Sequence, residues 1–310
     1  MAGSTATRFA QNALYVSLLA WVFAAVLVIQ VGASPHTAVA SPLQLHGALQ
    51  RDGNISIVSH RGAAALAPEN TLAAVRVAAE QRVDFVEVDL RLTSDGVPIL
   101  MHDQTVDRTT NGSGRVGHHT LAELQALDAG AWFSPEYAGE RVPTLQEFID
   151  ELGSRPLGAL IELKGPWSSG QVEQLVDTLR EHGLVNRVAL LSFETRKLEL
   201  LQELGPEFAR VMLTREWDAE VTSRAVELQV SAIGARPKVF DQDPELLEKL
   251  RPLGIGLVAY TLNTETLWDR ADQQGVDLVV TDDPEALNGW LTSEKGVGLL
   301  SSEGVLSSNQ

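Results

Sequence analysis

The chain has 310 residues, of which 44% are hydrophobic, so it is long enough for one large α/β domain with a substantial core. Its formal net charge of −17 argues against a nucleic-acid-binding protein, which needs basic patches on its surface. The chain contains no cysteine, which excludes disulfides, thiolate metal sites and a cysteine nucleophile.

Residues 1–33 are predicted to be a signal peptide or a signal anchor. Residues 13–29 are apolar apart from Ser17, and Arg8 is the only arginine or lysine before Arg51. This order is typical of both kinds of segment, and the apolar run has a length between those that they use. We therefore expect an exported protein, either periplasmic or extracellular, or one held by residues 13–33 with its folded part outside the membrane. Only the anchor would bring membrane contact, and residues 34–54 are predicted to be a linker.

From residue 55 onward, short apolar runs typical of strands alternate with helical patterns. The first run ends in His60-Arg61-Gly62 and is followed, after Pro68, by a helix that Asn70 or Thr71 would cap. The remaining strands are predicted over residues 84–92, 97–101, 159–163, 188–192, 210–213, 232–235, 256–261 and 277–281. Further helices are predicted near 121–127, 143–152, 171–182, 195–204, 217–228, 244–251 and 264–274.

This alternation predicts a TIM-type (β/α)8 barrel over residues 55–292. The sequence contains nine apolar runs, one more than the eight strands of such a barrel. Only about five residues separate 84–92 from 97–101, which is too short for a helical crossover, so that pair is predicted to form a hairpin or an irregular link. Residues 104–140 are polar and rich in turn signals, and they are predicted to be a small insertion after the second or third strand. Residues 293–310 are predicted to be a disordered tail.

Polar residues gather where the predicted strands end. They are His60, Arg61, Glu87, Asp89, His102, Glu162, Lys164, Tyr260 and Asn263. In the strand that carries Glu87 and Asp89 the residues alternate, so both acids lie on one face. Active sites of (β/α)8 barrels lie at the carboxyl ends of the strands, so we expect these residues to meet there.

The combination of residue types predicts the cleavage of a phosphoester. Three carboxylates without cysteine or a histidine cluster suit Mg²⁺ or Ca²⁺ rather than Zn²⁺. Arg61 and Lys164 suit an anionic substrate, and the guanidinium of arginine can form bidentate hydrogen bonds with a phosphate. His60 and His102 can give and take protons near neutral pH. Each of these residues alone is as often structural, and only their order along the chain makes the set specific.

The ordered motifs resemble the glycerophosphodiester phosphodiesterase family. The motifs are His60-Arg61-Gly62, Pro68-Glu69-Asn70-Thr71, Glu87-x-Asp89, His102-Asp103, Glu162-x-Lys164 and Thr281-Asp282-Asp283-Pro284. The resemblance implies a phospholipase-C-like barrel that hydrolyses glycerophosphodiesters to glycerol 3-phosphate and an alcohol.

By matching position, the resemblance assigns roles to individual residues. His60 and His102 would be the acid/base pair, in an order that the sequence leaves open. Glu87, Asp89 and Glu162 would hold the divalent ion. Arg61 and Lys164 would contact the phosphate. Tyr260 and Asn263 belong to the substrate wall, with Tyr260 at a position where the family commonly has tryptophan.

Glu69 is interpreted as an acid at the start of a helix rather than a supporting ligand, and Asn70 as a cap or a loop brace. His118 and His119 are predicted to be surface residues of the insertion. Two alternative functions remain. One is a lysophospholipase-D-like activity on membrane lysolipids, which an N-terminal anchor would favour. The other is a catalytically silent scaffold of the cell envelope, against which the complete set of site residues argues.

Overall fold

The computed structural model describes residues 49–303, apart from 52, 219 and 244. The predicted signal peptide or anchor and residues 34–48 of the predicted linker lie outside these residues. Within the described part of the chain, no helix combines the length and apolar composition that a bilayer crossing requires. The end of the predicted linker already contacts the domain, because Leu49 is buried and its N–H donates to the carbonyl of Ser231 at 3.3 Å.

The described residues form nine strands that join in one sheet. The strands are β1 (Ser56–Ser59), β2 (Phe85–Leu92), β3 (Pro98–Leu100), β4 (Gly158–Leu163), β5 (Val188–Ser192), β6 (Ala209–Leu213), β7 (Ala232–Ala235), β8 (Gly256–Ala259) and β9 (Leu278–Thr281). Strand β1 pairs in parallel with both β2 and β9, which closes eight strands into a barrel. The remaining strand, β3, pairs antiparallel with β2. The structure thus confirms the predicted TIM-type barrel and shows that 97–101 contributes the hairpin strand.

Helices surround the barrel and follow most of its strands. They are α1 (Leu72–Glu80), α2 (Leu121–Gln125), α3 (Leu145–Gly153), α4 (Ser169–Glu181), α5 (Thr195–Leu204), α6 (Val221–Glu227), α7 (Pro237–Phe240), α8 (Leu246–Leu250), α9 (Glu265–Gln273) and α10 (Pro284–Glu303). Short 3₁₀ turns occur at Val116–His118, Pro135–Tyr137 and Arg251–Leu253. The last helix continues to Glu303 and thus includes residues 293–303 of the predicted disordered tail, whereas residues 304–310 lie outside the described part.

The apolar side chains separate into an inner and an outer layer, because successive strand residues face opposite sides of the sheet. On β2, Val86, Val88 and Leu90 belong to the large cluster between sheet and helices. Phe85, which has the same parity as Glu87 and Asp89, belongs to the cluster that fills the barrel. Burial of Phe85 at the lower end therefore directs both acids to the upper end of the barrel interior, as the alternation predicted.

The region 104–140 packs over the barrel and has an apolar cluster of its own. Buried members of this cluster are Ile99, Met101, Val106, Val116, Leu124, Ala129 and Val142. Helix α2 begins at the capping box of Thr120 and Glu123 and ends two residues before the predicted end at 127. The hydroxyl of Tyr137 donates to the carbonyl of Leu66 at 3.1 Å, which ties the insertion to the loop after β1.

Candidate active site

The turn after β1 delivers the first two site residues. The N–H of His60 donates to the carbonyl of Thr281 at 2.8 Å, and that of Gly62 to the carbonyl of Glu87 at 3.1 Å, so the turn is held by both neighbouring strands. Arg61 and Gly62 both have positive φ angles, of 52° and 85°. This left-handed backbone aims the N–H of Arg61 at the carboxylate of Glu87, at 2.9 Å.

Gly62 is required at this turn for two reasons, and we expect Gly62→Ala to lower the free energy of unfolding by roughly 2–4 kcal/mol. Its φ disfavours any Cβ, and a Cβ would lie 2.4 Å from the Cβ of Ala74 and 2.7 Å from the backbone carbon of the same residue. Helix α1 would have to move. Urea unfolding measures the effect, with Gly153→Ala as the control because a Cβ there meets nothing within 4 Å. A Gly62 variant as stable as the control would contradict this account.

Three acids meet at the upper end of the barrel interior. Asp89 lies directly opposite Glu162 in the register of β2 and β4, and Glu87 comes two residues earlier on the same face. All three are buried, and one carboxylate oxygen from each lies within 4.8 Å of the others. Burial, followed by the charge of Asp89, raises the pKa of Glu87 to about 7. Buried, mutually repelling carboxylates are a hard-oxygen donor set that fits Mg²⁺ or Ca²⁺.

Asn70 holds the central acid in place. Its Nδ2 donates to Oδ2 of Asp89 at 2.9 Å, and its Oδ1 accepts the backbone N–H of Asp89 at 3.0 Å. Thr71, not Asn70, caps helix α1 by accepting the N–H of Ala74. Of the two roles predicted for Asn70, the structure therefore assigns the brace, and the object braced is an acid of the site.

Two cations flank the three acids. The Nζ of Lys164 lies 2.7 Å from Glu162 and 3.3 Å from Asp89, and the Nε of Arg61 lies 3.5 Å from Asp89. Burial, the largest single influence, lowers the pKa of both groups, but the surrounding acids together outweigh it and raise the pKa of both: Asp89, Glu69 and Glu87 for Arg61, and Asp89, Glu162 and Glu87 for Lys164. The Nε of Arg61 is buried and has no hydrogen-bond partner among the described residues. A phosphate oxygen would satisfy this donor.

Each of the two histidines is held by an aspartate that contacts its Nδ1 atom. The Nδ1 of His60 lies 2.6 Å from a carboxylate oxygen of Asp282, and the Nδ1 of His102 lies 2.7 Å from one of Asp103. In both rings this leaves Nε2 for proton exchange, and the Nε2 of His60 lies 3.9 Å from Glu87. Burial would lower the pKa of His60, but Asp282 and Glu87 outweigh it and raise that pKa, whereas burial dominates at His102 and lowers its pKa.

A chain of charged groups joins Arg61 to His102. Glu69 accepts a hydrogen bond from Arg61 at 2.8 Å and two from Arg108 at 2.7 Å. Arg108 also donates to Asp103 at 2.7 Å, and this contact, ahead of the one with His102, lowers the pKa of Asp103 to about 2. The interpretation of Glu69 as a mere helix-start acid is therefore wrong, because it orients Arg61 and binds the insertion.

Residues Tyr260 and Asn263 have separate positions at the site. The ring of Tyr260 lines a cavity of about 50 Å³ together with His60, Glu87, Glu162 and apolar strand residues. Asn263 instead supports Asp282, since its Nδ2 donates to that carboxylate at 2.6 Å and its Oδ1 accepts the N–H of Asp282 at 2.9 Å. Through Asp282 it positions His60, while its role as a substrate ligand stays a prediction.

The structure thus brings eight of the nine predicted site residues around one set of acids, and places the ninth, Asn263, behind His60. Sequence reasoning did not assign a role to Asp103, Arg108 or Asp282. Asp103 and Asp282 could have been noticed, because each belongs to a motif already singled out. Arg108 offered no signal, because it lies in a turn-rich segment and its partner Glu69 is distant in sequence.

Comparisons with known proteins agree with this geometry. The model of the "Glycerophosphoryl diester phosphodiesterase family" matches residues 60–286. A glycerophosphodiester phosphodiesterase of Caldanaerobacter subterraneus subsp. tengcongensis is 36% identical over 233 residues, which span 74% of this chain and 95% of the relative. One of Bacillus subtilis is 36% identical over 256 residues, 77% of this chain and 87% of the relative.

Solved structures show the same fold. A phosphodiesterase of Oleispira antarctica, solved in complex with the product sn-glycerol-3-phosphate, has a TM-score of 0.69 and 31% identity, and covers 76% of this chain and 96% of its own. The glycerophosphodiester phosphodiesterase of Agrobacterium tumefaciens has a TM-score of 0.66 and 33% identity over 75% of this chain and 98% of its own. From sequence and structure together, the chain belongs to the glycerophosphoryl diester phosphodiesterase family.

Proposed function

We propose that this protein hydrolyses glycerophosphodiesters to glycerol 3-phosphate and an alcohol, with the help of a divalent metal ion. The observation that carries the proposal is the cluster of three buried acids, flanked by Arg61 and Lys164 and by two carboxylate-bound histidines. The named relatives act on the same class of substrate, and one neighbour was solved with glycerol 3-phosphate bound.

The residues of the chain divide the work of binding and proton transfer. Arg61, whose Nε has no hydrogen-bond partner among the described residues, and Lys164 bind the non-bridging oxygens of the phosphodiester and balance the charge that develops on them. Glu87, Asp89 and Glu162 would hold Mg²⁺ or Ca²⁺. When bound, this ion supplies Lewis-acid stabilisation of the phosphoryl oxygens.

The two histidines move protons at their Nε2 atoms. One takes the proton of the attacking hydroxyl, from water or from the glycerol 2-hydroxyl, as a new P–O bond forms. The other donates a proton to the oxygen of the leaving alcohol as the old P–O bond breaks. Asp282 and Asp103 keep each ring in the orientation that exposes Nε2. If the 2-hydroxyl attacks, the product is a cyclic phosphodiester, which a water molecule must then open. In this second step the two histidines exchange their roles as acid and base.

Product analysis tests the proposal. The purified protein is incubated with glycerophosphocholine, glycerophosphoethanolamine, glycerophosphoglycerol and lysophosphatidylcholine micelles, each with Mg²⁺ or Ca²⁺. We expect glycerol 3-phosphate and the free alcohol from the water-soluble diesters. Choline release from the lysolipid alone would favour the lysophospholipase-D alternative. No turnover of any diester would favour the silent scaffold and refute the proposal.

A further inference from the structure

A basic groove opens beside the site. It has a volume of about 550 Å³ and runs between the end of β2, the segment after β4 and the insertion. Its walls include Arg91, Arg115, His118 and Lys164, and none of the residues that line it is acidic. In a chain with a net charge of −17, a groove lined by three permanent cations and no acid is a marked local reversal of charge.

Much of the positive charge of this basic groove is not neutralised. The guanidinium of Arg115 is exposed and has no ion pair or hydrogen bond among the described residues. Arg91 donates two hydrogen bonds, at 2.9 and 2.7 Å, but both go to the uncharged carbonyl of His102. Only Lys164, at the inner end, is paired with acids, namely Glu162 and Asp89. The charge of Arg91 is partly balanced by the nearby acids Asp89, Asp103 and Glu162, so Arg115 supplies the unbalanced positive charge of the outer groove.

The basic groove adjoins the cluster of three acids at Lys164. Lys164 belongs to both, since its Nζ faces the acids while the residue lines the groove. Arg91 contacts the backbone of His102, which carries a ring of the acid/base pair. A substituent on the phosphodiester that extends past Lys164 therefore enters the groove.

The groove is poorly suited to a quaternary ammonium group. Such groups are recognised by open aromatic faces and acids. Trp167 is the aromatic residue among those lining the groove, but it is only 9% exposed, and its N–H donates to the carbonyl of Lys164 at 3.0 Å. With its ring covered and no acid beside it, Trp167 offers no cage for choline.

We propose that the basic groove binds the departing alcohol and selects alcohols that carry a negative charge, on either a carboxylate or a phosphate. This inference rests on the proposed function and names the substrate class of the same site. Arg115 is the principal selecting residue, because its unpaired guanidinium offers a fork for an oxyanion.

A matched pair of substrates isolates the charge. Glycerophosphoglycerate and glycerophosphoglycerol differ only in a carboxylate in place of a hydroxymethyl group, and bis(glycerophospho)glycerol supplies a charged phosphate instead. We expect kcat/KM for release of the anionic alcohol to exceed that for the neutral one by roughly 2–5-fold at low salt, as for an exposed ion pair. High salt should reduce this ratio. Preference for only one of the two anions would tell carboxylate from phosphate recognition.

Charge reversal at Arg115 tests the residue. We expect Arg115→Glu to bring the anionic-to-neutral ratio to one or below. Arg141→Glu is the control, because Arg141 is an exposed arginine directly after the insertion that does not line the groove, and the net charge changes equally. An equal fall in both variants, or a wild-type ratio of one or less, would overturn the inference. Absence of turnover on all three diesters would instead refute the proposed function.

Discussion

Removal of divalent ions is expected to abolish hydrolysis, with a loss of at least roughly 10²-fold in turnover, of the size seen when an electrostatic stabiliser of the transition state is lost. Without an ion, three buried acids within 4.8 Å of one another confront the anionic phosphodiester. Arg61 and Lys164 already share their charge with these acids, at 3.5 Å from Asp89 for Arg61 and 2.7 Å from Glu162 for Lys164. Too little positive charge then remains to bind a phosphate.

The experiment measures ion binding as well as turnover. Protein dialysed against a chelator is checked by elemental analysis, titrated with Mg²⁺ or Ca²⁺ in a calorimeter, and assayed for glycerol 3-phosphate before and after ion addition. Circular dichroism shows that the fold persists. Full turnover of protein shown to be free of metal would refute the ion's role.

Substitution of one acid locates the ion. Glu162→Gln removes a charge from the cluster, so we expect weaker ion binding and a higher ion concentration for half-maximal turnover. Glu173→Gln is the matched control, because Glu173 is exposed on α4 and does not belong to the cluster of three acids. If both variants bind the ion like the wild type, the acids do not hold it.

Replacement of His102 by alanine is expected to reduce turnover by roughly 10²–10⁴-fold, the usual effect of losing a general acid or base. The side chain is about one third exposed, so its removal creates little buried cavity and the fold should persist. Its Nδ1 is fixed by Asp103, which leaves Nε2 as the atom whose proton transfer is lost.

The controls separate proton transfer from structure. His182→Ala removes an exposed histidine at the far end of α4 from the barrel mouth, and it should leave turnover near that of the wild type. A substrate with a p-nitrophenol leaving group needs no proton on the departing oxygen. Of His60→Ala and His102→Ala, the variant that recovers most of its rate with this substrate lacks the general acid. A His102 variant with a nearly normal rate on every substrate would reduce His102 to a structural role.

Much of the fold was predictable from local patterns. The alternation of apolar runs and helical spacing identified the barrel, and the short link after 84–92 predicted a hairpin or an irregular link, of which the structure shows the hairpin. The boundaries were less accurate for short helices, such as α6, because they are stabilised mainly by packing and only weakly by their own sequence. The last residues of α10 were predicted to be part of a disordered tail because of their Ser/Gly-rich composition.

The candidate site was predictable where function coincides with a strand end. His60, Arg61, Glu87, Asp89 and Glu162 stand out because a charged residue at the end of an apolar run is visible in the sequence itself. The parallel register then brings them together without further information, as Asp89 opposite Glu162 shows.

The sequence by itself therefore determined the barrel, the family and most of the residues that meet at the upper end of the barrel. Only the tertiary structure decided what supports them. Asp282 holds His60 from 222 positions away, Arg108 reaches Glu69 across 39 positions, and the left-handed Asn70 braces Asp89. The physical reason is that the end of a strand can be recognised from the change from apolar to polar residues in the sequence. Two residues that are distant in sequence become hydrogen-bond partners only because the closed barrel brings them together. The strand end that carries His60 and Arg61 could be predicted from the sequence, but the orientation of these two side chains depends on carboxylates that are distant in sequence.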